Sequence, residues 1–395
     1  MVDRKHIDTP AIRYHFMDNL RALAMLTGIF FHAAIAYSPF MANLWLTADP
    51  QTSVTLDFVA WFTHMFRMPL FFLIAGFFTC YMVQRRSYAG FLKNRALRIA
   101  LPFVIFLPLV VIAILSSVTW AIWNVENPSP LLKSIASMAG KPDAPQSPAS
   151  TTHLWFLYNL VQFYLVYVLL DRFGVLNERL TGVLTSPRVL VFLVPLLVVP
   201  ALATQPTPYP APEQFEPKLW SFGFHGIFFL IGSRMYLQQQ VIDQLKPYAW
   251  WLLATSIVAY SFLHTTMLEA PTLADMTSFV GKSLPFSWTE VGRSVLEAYI
   301  AVHMTIVCLV AGRALLDSAS RVVRYIADSS YWVYIIHLPV LFQIQFWLLD
   351  VDANLWIKFA LSSFGTFAIG ILTYAALIRW SPIGWMLNGR RDRGS

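Results

Sequence analysis

An arginine and a histidine lie on one face of the first apolar segment of the chain. Arg21 and His32 are eleven residues apart, which is about 20° past three turns of an α-helix and about 16 Å along its axis. A histidine kept from water is neutral near pH 7 and can accept a proton as a general base. We therefore predict that this face is functional, with His32 its candidate catalytic base. The alternative is that Asp18 and Arg21 are anchors at the membrane interface and His32 is a packed histidine bonded to a neighbouring helix. Asp18, about 21 Å from His32, is expected to orient Arg21.

Three further arginines belong to apolar segments. Arg67 follows His64 in the run HMFRMPLFFLIAGFF, about eleven residues from the end of its segment and therefore near the middle of a membrane. A guanidinium at that depth must face a cavity or a counter-charge, and a buried structural ion pair is the alternative. Arg95 and Arg98 in RALR are neighbours on one helix face. Their forked donors suit phosphate, and an ordinary anchor at the membrane surface is the alternative.

Two other segments carry polar and aromatic side chains that could line a path for substrates. His153 and Trp155 begin one segment in HLWFL, and Tyr334 and His337 share a face in DSSYWVYIIH. Each could equally be a buried residue that has simply found a hydrogen-bond partner. The chain has no Gly-rich phosphate loop, no paired-Cys metal spacing, no His-Glu-x-x-His and no Gly-x-Ser-x-Gly. We therefore predict neither a metal site nor a permanently bound cofactor.

The composition indicates what must position these residues. Of the 395 residues, 57% are hydrophobic and 12% are charged, whereas a soluble domain carries about 25% charged residues. This composition excludes a disulfide scaffold and a nucleic-acid module, and predicts an all-α polytopic membrane protein in a lipid bilayer. About ten transmembrane helices are predicted: Asp18–Ser38, Leu56–Val83, Leu97–Trp123, His153–Leu170, Val189–Thr204, Leu219–Leu237, Tyr248–His264, Val291–Leu315, Ser329–Leu349 and Leu355–Ile378.

The basic residues predict an orientation for these helices. With both termini in the cytoplasm, only five Lys and Arg residues fall on the outer side: Lys133, Lys141, Lys218, Lys282 and Arg293. The excess of basic over acidic residues is thus mainly a topology signal and argues against a nucleic-acid partner. Residues 1–395 form one predicted membrane domain, with a transmembrane region at 18–378 and a cytoplasmic tail at 379–395. The Pro-rich connections 124–152 and 205–218 are expected to be extended surface loops.

Four motifs resemble those of one known family. The run DNLRALAMLTGIFFHAA, with ten residues between arginine and histidine, is similar to the first-helix signature of the acyltransferase-3 membrane family. FRMPLFFLIAGFF resembles its second-helix motif, RALRIALP its third, and SSYWVYIIHLP its late Ser-Tyr…Tyr…His motif. The motifs occur in family order. HMFRMPLFFLIAGFF together with THLWFL is most similar to the branch that succinylates osmoregulated periplasmic glucans.

The resemblance implies an acyl-CoA-dependent O-acyltransferase of the bacterial inner membrane. A cytoplasmic donor, succinyl-CoA or acetyl-CoA, would meet a periplasmic glucan hydroxyl near His32. Arg21, Arg67, Arg95 and Arg98 would bind the donor. Asp18, His64, His153, Trp155, Tyr334 and His337 would support the site or line the acceptor path, with Trp155 stacking on a sugar. An O-acetyltransferase of another surface polysaccharide, a transporter or flippase, and a structural subunit are the alternatives. The oligomeric state stays open, a homodimer included.

Overall fold

The computed structural model describes residues 14–139, 141, 149–267, 270–272, 275 and 287–389. Within these residues the regular structure is helical, apart from one isolated antiparallel bridge between Ser150 and Gln214. The fold is therefore all-α, as the sequence predicts.

The helices are numbered in chain order. The first eight are α1 His15–Ile35, α2 Val54–Arg85, α3 Tyr88–Arg95, α4 Leu101–Asn124, α5 Pro130–Met138, α6 Trp155–Arg172, α7 Glu178–Leu184 and α8 Val194–Leu202. The others are α9 Leu219–Gly223, α10 His225–Met235, α11 Gln240–Leu245, α12 Ala249–Thr265, α13 Trp288–Leu315, α14 Arg321–Leu349, α15 Leu355–Thr373 and α16 Pro382–Asn388. Short π-helices cover Ala96–Ala100, Val189–Leu193 and Tyr374–Ile378, and 3-10 turns cover Thr152–Leu154 and Lys246–Tyr248.

Six helical segments in the described part of the chain are long and apolar enough to cross a membrane. The pair formed by Glu178–Leu184 and Val189–Leu202, bent by 68°, makes a seventh if it is one span. Three predicted spans correspond to weaker elements: α1 is a charged helix, α9 and α10 are separated at Phe224, and α12 has 17 residues, or about 26 Å. The count of ten and the orientation of the termini therefore stay predictions.

Helices α2 and α10 make the closest helix crossing that positions the site. A Cβ atom built on Gly76 of α2 would lie 1.9 Å from the backbone oxygen of Phe229, and one on Gly232 of α10 would lie 1.8 Å from that of Leu73. Only glycine allows two backbones to approach so closely. The crossing holds α2 at the centre of the molecule, where most of its length is buried.

Prolines inside the apolar helices explain several buried polar side chains. A helical proline lacks the N–H that would bond the carbonyl four residues earlier, and in a membrane that carbonyl needs another donor. At four such prolines a side chain from elsewhere in the chain donates to this carbonyl. Tyr209 donates to Met65 before Pro69, Tyr331 to Arg98 before Pro102, His303 to Val191 before Pro195, and His153 to Ile335 before Pro339. Pro102 and Pro195 each follow a π-helix, and its wider turn relieves the clash of the proline ring.

Candidate active site

A cavity of about 330 Å³ lies between α1, α2, α3, α6, α14 and α16. Arg21, Arg95 and Arg98 line it together, and Tyr334 lines it as well. Leu387 and Asn388 of α16 close one side of the cavity. The structure thus brings three of the predicted donor-binding arginines to one space, together with a residue of the predicted acceptor path.

The π-helix at Ala96–Ala100 places Arg95 and Arg98 on the cavity. The carbonyl of Arg98, to which Pro102 has no N–H to donate, accepts a hydrogen bond from the Tyr331 hydroxyl at 2.9 Å. The guanidinium of Arg95 lies over the ring of Tyr164, 5.6 Å from its centroid. These contacts fix the helix at the two arginines and leave their side chains among the cavity walls.

Arg21, on α1, lines the same cavity as Arg95 and Arg98. Its guanidinium lies 3.4 Å from the carboxylate of Asp18, and 41% of its side chain is exposed. The predicted pairing of Asp18 with Arg21 is therefore present in the structure. The exposed part of Arg21 can still meet an anion at the edge of the cavity.

Three histidines form a cluster beside this cavity. The ring centroid of His337 lies 5.3 Å from that of His32 and 4.8 Å from that of His153. Tyr334, which lines the cavity, contacts the rings of His153 and His337 and donates its hydroxyl to the carbonyl of His153 at 2.5 Å. Tyr334 therefore separates the arginine-lined cavity from the histidine cluster. Residues from three separate parts of the sequence therefore meet at this cluster.

Backbone carbonyls determine which nitrogen of two of these histidines carries the proton. Nε2 of His153 lies 3.0 Å from the carbonyl of Ile335, and Nδ1 of His337 lies 2.6 Å from the carbonyl of Tyr334. Because a carbonyl oxygen only accepts, these nitrogens carry hydrogen, and Nδ1 of His153 and Nε2 of His337 carry lone pairs. Both lone-pair nitrogens are buried without a partner.

His32 differs from its two neighbours. Within the described part of the chain neither of its ring nitrogens forms a hydrogen bond, and its Nδ1 is buried. No backbone group therefore holds His32 in one tautomer, whereas its two neighbours are held. This freedom to take up and release a proton is what the predicted base requires.

Arg67 is the least compensated charge of the site. It is 7% exposed, lies 4.4 Å from the centroid of the Phe31 ring, and has its Nη1 3.4 Å from the carbonyl of Thr27. Among the described residues no carboxylate forms an ion pair with it, so the alternative of a structural ion pair finds no partner there. It interacts electrostatically with His32. A buried guanidinium in this state favours an anionic group of a ligand.

His64 is held by Tyr209, a residue that the sequence did not single out. Its Nε2 lies 3.0 Å from the carbonyl of Tyr209, and the Tyr209 hydroxyl donates to the carbonyl of His64 at 2.9 Å. The Tyr209 N–H donates to Glu297 at 2.9 Å. The expectation that the connection 205–218 is only a surface loop is therefore wrong at Tyr209, which is 2% exposed. The only sequence signal for its burial is an aromatic residue between two prolines. A loop has no helical repeat from which the buried side chains can be inferred.

Trp155 has a different environment from the predicted one. Its ring is 8% exposed and packs 5.5 Å from the ring of His225 and 6.0 Å from that of Phe72. His225 in turn lies 3.2 Å from the hydroxyl of Ser221. This position is part of the packed core and offers no open face for stacking on a sugar.

In the part of the chain that the structure describes, no three His, Cys, Asp or Glu side chains are placed to hold a metal ion. The histidine cluster lies beside a cavity that three arginines line. Unpaired imidazole nitrogens next to such a cavity are suited to proton transfer.

Comparison with known proteins agrees with this arrangement. The acyltransferase-3 family model, described as an acyltransferase domain, matches residues 14–375. Glucans biosynthesis protein C of Escherichia coli strain K12 is 23% identical to this chain over 396 aligned residues, which cover 96% of each chain. The proteins of the same name from E. coli O81 strain ED1a and from strain SMS-3-5 / SECEC match with the same identity and coverage. No solved structure matches. Since the family model covers nearly the whole chain and every helix that lines the cavity except α16, this protein is a member of the acyltransferase-3 family.

Proposed function

We propose that the protein is an acyl-CoA-dependent O-acyltransferase that succinylates hydroxyls of a periplasmic glucan, with the donor entering from the cytoplasm. The observation that carries this proposal is the adjacency of the arginine-lined cavity to the histidine cluster, with Tyr334 between them. The name of the E. coli relatives, glucans biosynthesis protein C, supports the choice of acceptor.

The arginines suit the phosphates of the donor. Planar guanidinium groups bind phosphate through paired hydrogen bonds, and Arg21, Arg95 and Arg98 offer three of them at one cavity. The cavity volume of about 330 Å³ is at the lower end of the usual range for ligand sites, about 300–1,000 Å³. It would admit the thioester and its narrow arm, while the nucleotide stays beside the arginines.

His32 would act as general base. It takes the proton from a glucan hydroxyl as the hydroxyl oxygen attacks the thioester carbonyl carbon, and the carbon–sulfur bond then breaks. The imidazolium formed at His32 can donate an N–H to the lone pair on Nε2 of His337, whose other nitrogen is held by the Tyr334 carbonyl. The proton returns to the departing sulfur, so the products are an O-acyl glucan and free coenzyme A.

Arg67 would recognise the terminal carboxylate of a succinyl group. A ligand carboxylate would supply the counter-charge that the described residues do not. An acetyl group has no such charge, so an O-acetyltransferase would leave Arg67 uncompensated. This contrast is the structural reason for preferring succinyl-CoA over acetyl-CoA as donor.

The test uses purified protein in vesicles with succinyl-CoA and glucan, and measures thiol release and O-succinylation. We expect His32→Ala to lower kcat by about 10²–10⁴-fold, the usual contribution of a general base. His15→Ala, at the other end of α1, is the matched control. Near-normal transfer by a well-expressed His32→Ala protein would disprove the role of His32. Glucan movement without thiol release would indicate a transporter.

The same assay tests the donor. Arg67→Met should remove the preference for succinyl-CoA over acetyl-CoA while leaving any residual acetyl transfer in place. An unchanged ratio of kcat/KM for the two donors would remove the argument for succinyl. Preference for acetyl-CoA in the wild-type protein would favour the O-acetyltransferase alternative.

A further inference from the structure

The connection between α1 and α2 folds back over the end of α1. The N–H of Asp49 donates to the carbonyl of Ala36, and that of Ser53 to the carbonyl of Tyr37, both at 2.8 Å. Trp45 lies within this connection, and its ring is nearly parallel to that of His32, at 10° and with centroids 6.0 Å apart. A tryptophan therefore covers the proposed base on the side away from the first residues of α1.

The indole N–H of Trp45 is unused. Its Nε1 is buried and has no hydrogen-bond partner in the described structure, as is also true of Nδ1 of His32 and Nε2 of His337. A buried tryptophan normally finds an acceptor for its N–H, and unsatisfied buried polar groups are uncommon enough to need an explanation. One donor and two imidazole nitrogens without partners are thus gathered around the ring of His32, and hydroxyl groups can both donate to and accept from such atoms.

The residues that follow Trp45 are held firmly. The carbonyl of Leu46 accepts from the Ser129 hydroxyl at 2.7 Å, and the hydroxyl of Thr47 donates to Gln345 at 2.7 Å. The carboxylate of Asp49 lies 2.8 Å from the ammonium of Lys358. A recognition group held by such supporting contacts needs little reordering when a ligand binds.

We propose that Trp45 is an acceptor-binding residue, whose indole N–H donates to a sugar oxygen next to the hydroxyl that His32 deprotonates. This inference rests on the proposed function and adds to it a subsite for the sugar. A sugar combines an apolar C–H face with many oxygens, and an indole offers an apolar ring together with one donor. Trp45 stacks on His32, where the glucan hydroxyl would lose its proton, and it does not line the arginine cavity, so we assign it to the acceptor. It takes the role that the sequence suggested for Trp155.

The experiment compares Trp45→Phe with Trp61→Phe. Both changes remove an indole N–H that is buried without a partner, but the Trp61 ring contacts Phe31 and His64 and not His32. We expect Trp45→Phe to raise the KM for glucan by about tenfold, the value of one lost hydrogen bond to a ligand. The dissociation constant for succinyl-CoA should stay at the wild-type value, and Trp61→Phe should leave the KM for glucan unchanged.

A second arm identifies the bonded oxygen with a series of monodeoxy glucosides as acceptors. One deoxy glucoside should lose about tenfold in kcat/KM with the wild-type protein and less than about twofold with Trp45→Phe, because the bond is already missing. Equal losses in both proteins, or an unchanged KM for glucan in Trp45→Phe, would overturn the role of Trp45. Failure of the wild-type protein to transfer any acyl group would instead refute the proposed function.

Discussion

The ion pair between Lys358 and Asp49 permits a quantitative prediction. Lys358 Nζ lies 2.8 Å from Asp49 Oδ2, and the two side chains are 3% and 4% exposed. Lys358 belongs to α15, and Asp49 to the connection that carries Trp45. Replacing Lys358 by Met leaves the Asp49 carboxylate buried without its counter-charge. Breaking one half of a buried pair costs about 3–5 kcal/mol, a large share of a total stability of about 5–15 kcal/mol.

The double variant provides the control. Asp49→Asn with Lys358→Met removes both charges, and replacing a buried pair by neutral groups is often nearly neutral in free energy. The free energy of unfolding should therefore recover to within about 1–2 kcal/mol of the wild-type value. If each single change costs about 3–5 kcal/mol and both together cost about 1–2 kcal/mol, the coupling energy in this double-mutant cycle is about 4 kcal/mol or more. Reversible unfolding in mixed detergent micelles, followed by circular dichroism, measures it.

Function should follow the same pattern. Lys358→Met releases one of the contacts that hold the connection over His32, so the KM for glucan should rise while succinyl-CoA binding stays unchanged. A coupling energy near zero would refute this reasoning. It would show that each charge is satisfied separately and that the ion pair does not hold the connection in place.

The remaining predictions concern the helix crossing and the donor cavity. Gly232→Ala should destabilise the protein by more than the about 1–3 kcal/mol that ordinary overpacking costs, because the new Cβ would lie 1.8 Å from the Leu73 oxygen. An unchanged unfolding midpoint would contradict the close crossing of α2 and α10. Arg95→Ala with Arg98→Ala should raise the KM for succinyl-CoA at least tenfold with little change in the KM for glucan, and isothermal titration with coenzyme A tests the same point; unchanged affinity would leave both arginines as membrane anchors. Gly389→Ala should weaken donor binding, since its backbone has a φ of +87° and a Cβ would lie 2.4 Å from Arg98 Nη2; wild-type affinity would show that the Arg98 side chain moves aside freely.

Periodicity within a helix indicated some of the side chains that the structure places together. Arg21 and His32 share a face of α1, and Arg95 with Arg98 reach one cavity, because spacing along a helix determines which side chains share a face. The meeting of His32, His153 and His337 is a tertiary contact between three different helical segments, which spacing along one helix does not contain.

Contacts made by irregular segments were beyond sequence reasoning. Trp45 and Tyr209 lie in connections, where no helical period shows which side chain turns inward. Lys358 sits inside an apolar helix, yet its partner Asp49 lies in one of these connections, so the pair is visible only in three dimensions. The prolines offered a usable signal: Pro339 implies an unbonded carbonyl at Ile335, and therefore a buried donor, which the structure identifies as His153.

The short helix α16 has a consequence for how the protein is made and handled. Asn388 lines the arginine-lined cavity and donates to the carbonyl of Asp328 at 2.8 Å. Helix α16 follows every other helix that lines this cavity, so during synthesis the cavity stays open until α16 has been made. A reporter domain inserted directly after α16 to map the topology would press on the same wall of the cavity. Such a fusion can report the orientation of the helix correctly, but donor affinity measured with it should differ from that of the unmodified protein. Affinity tags are therefore better placed elsewhere.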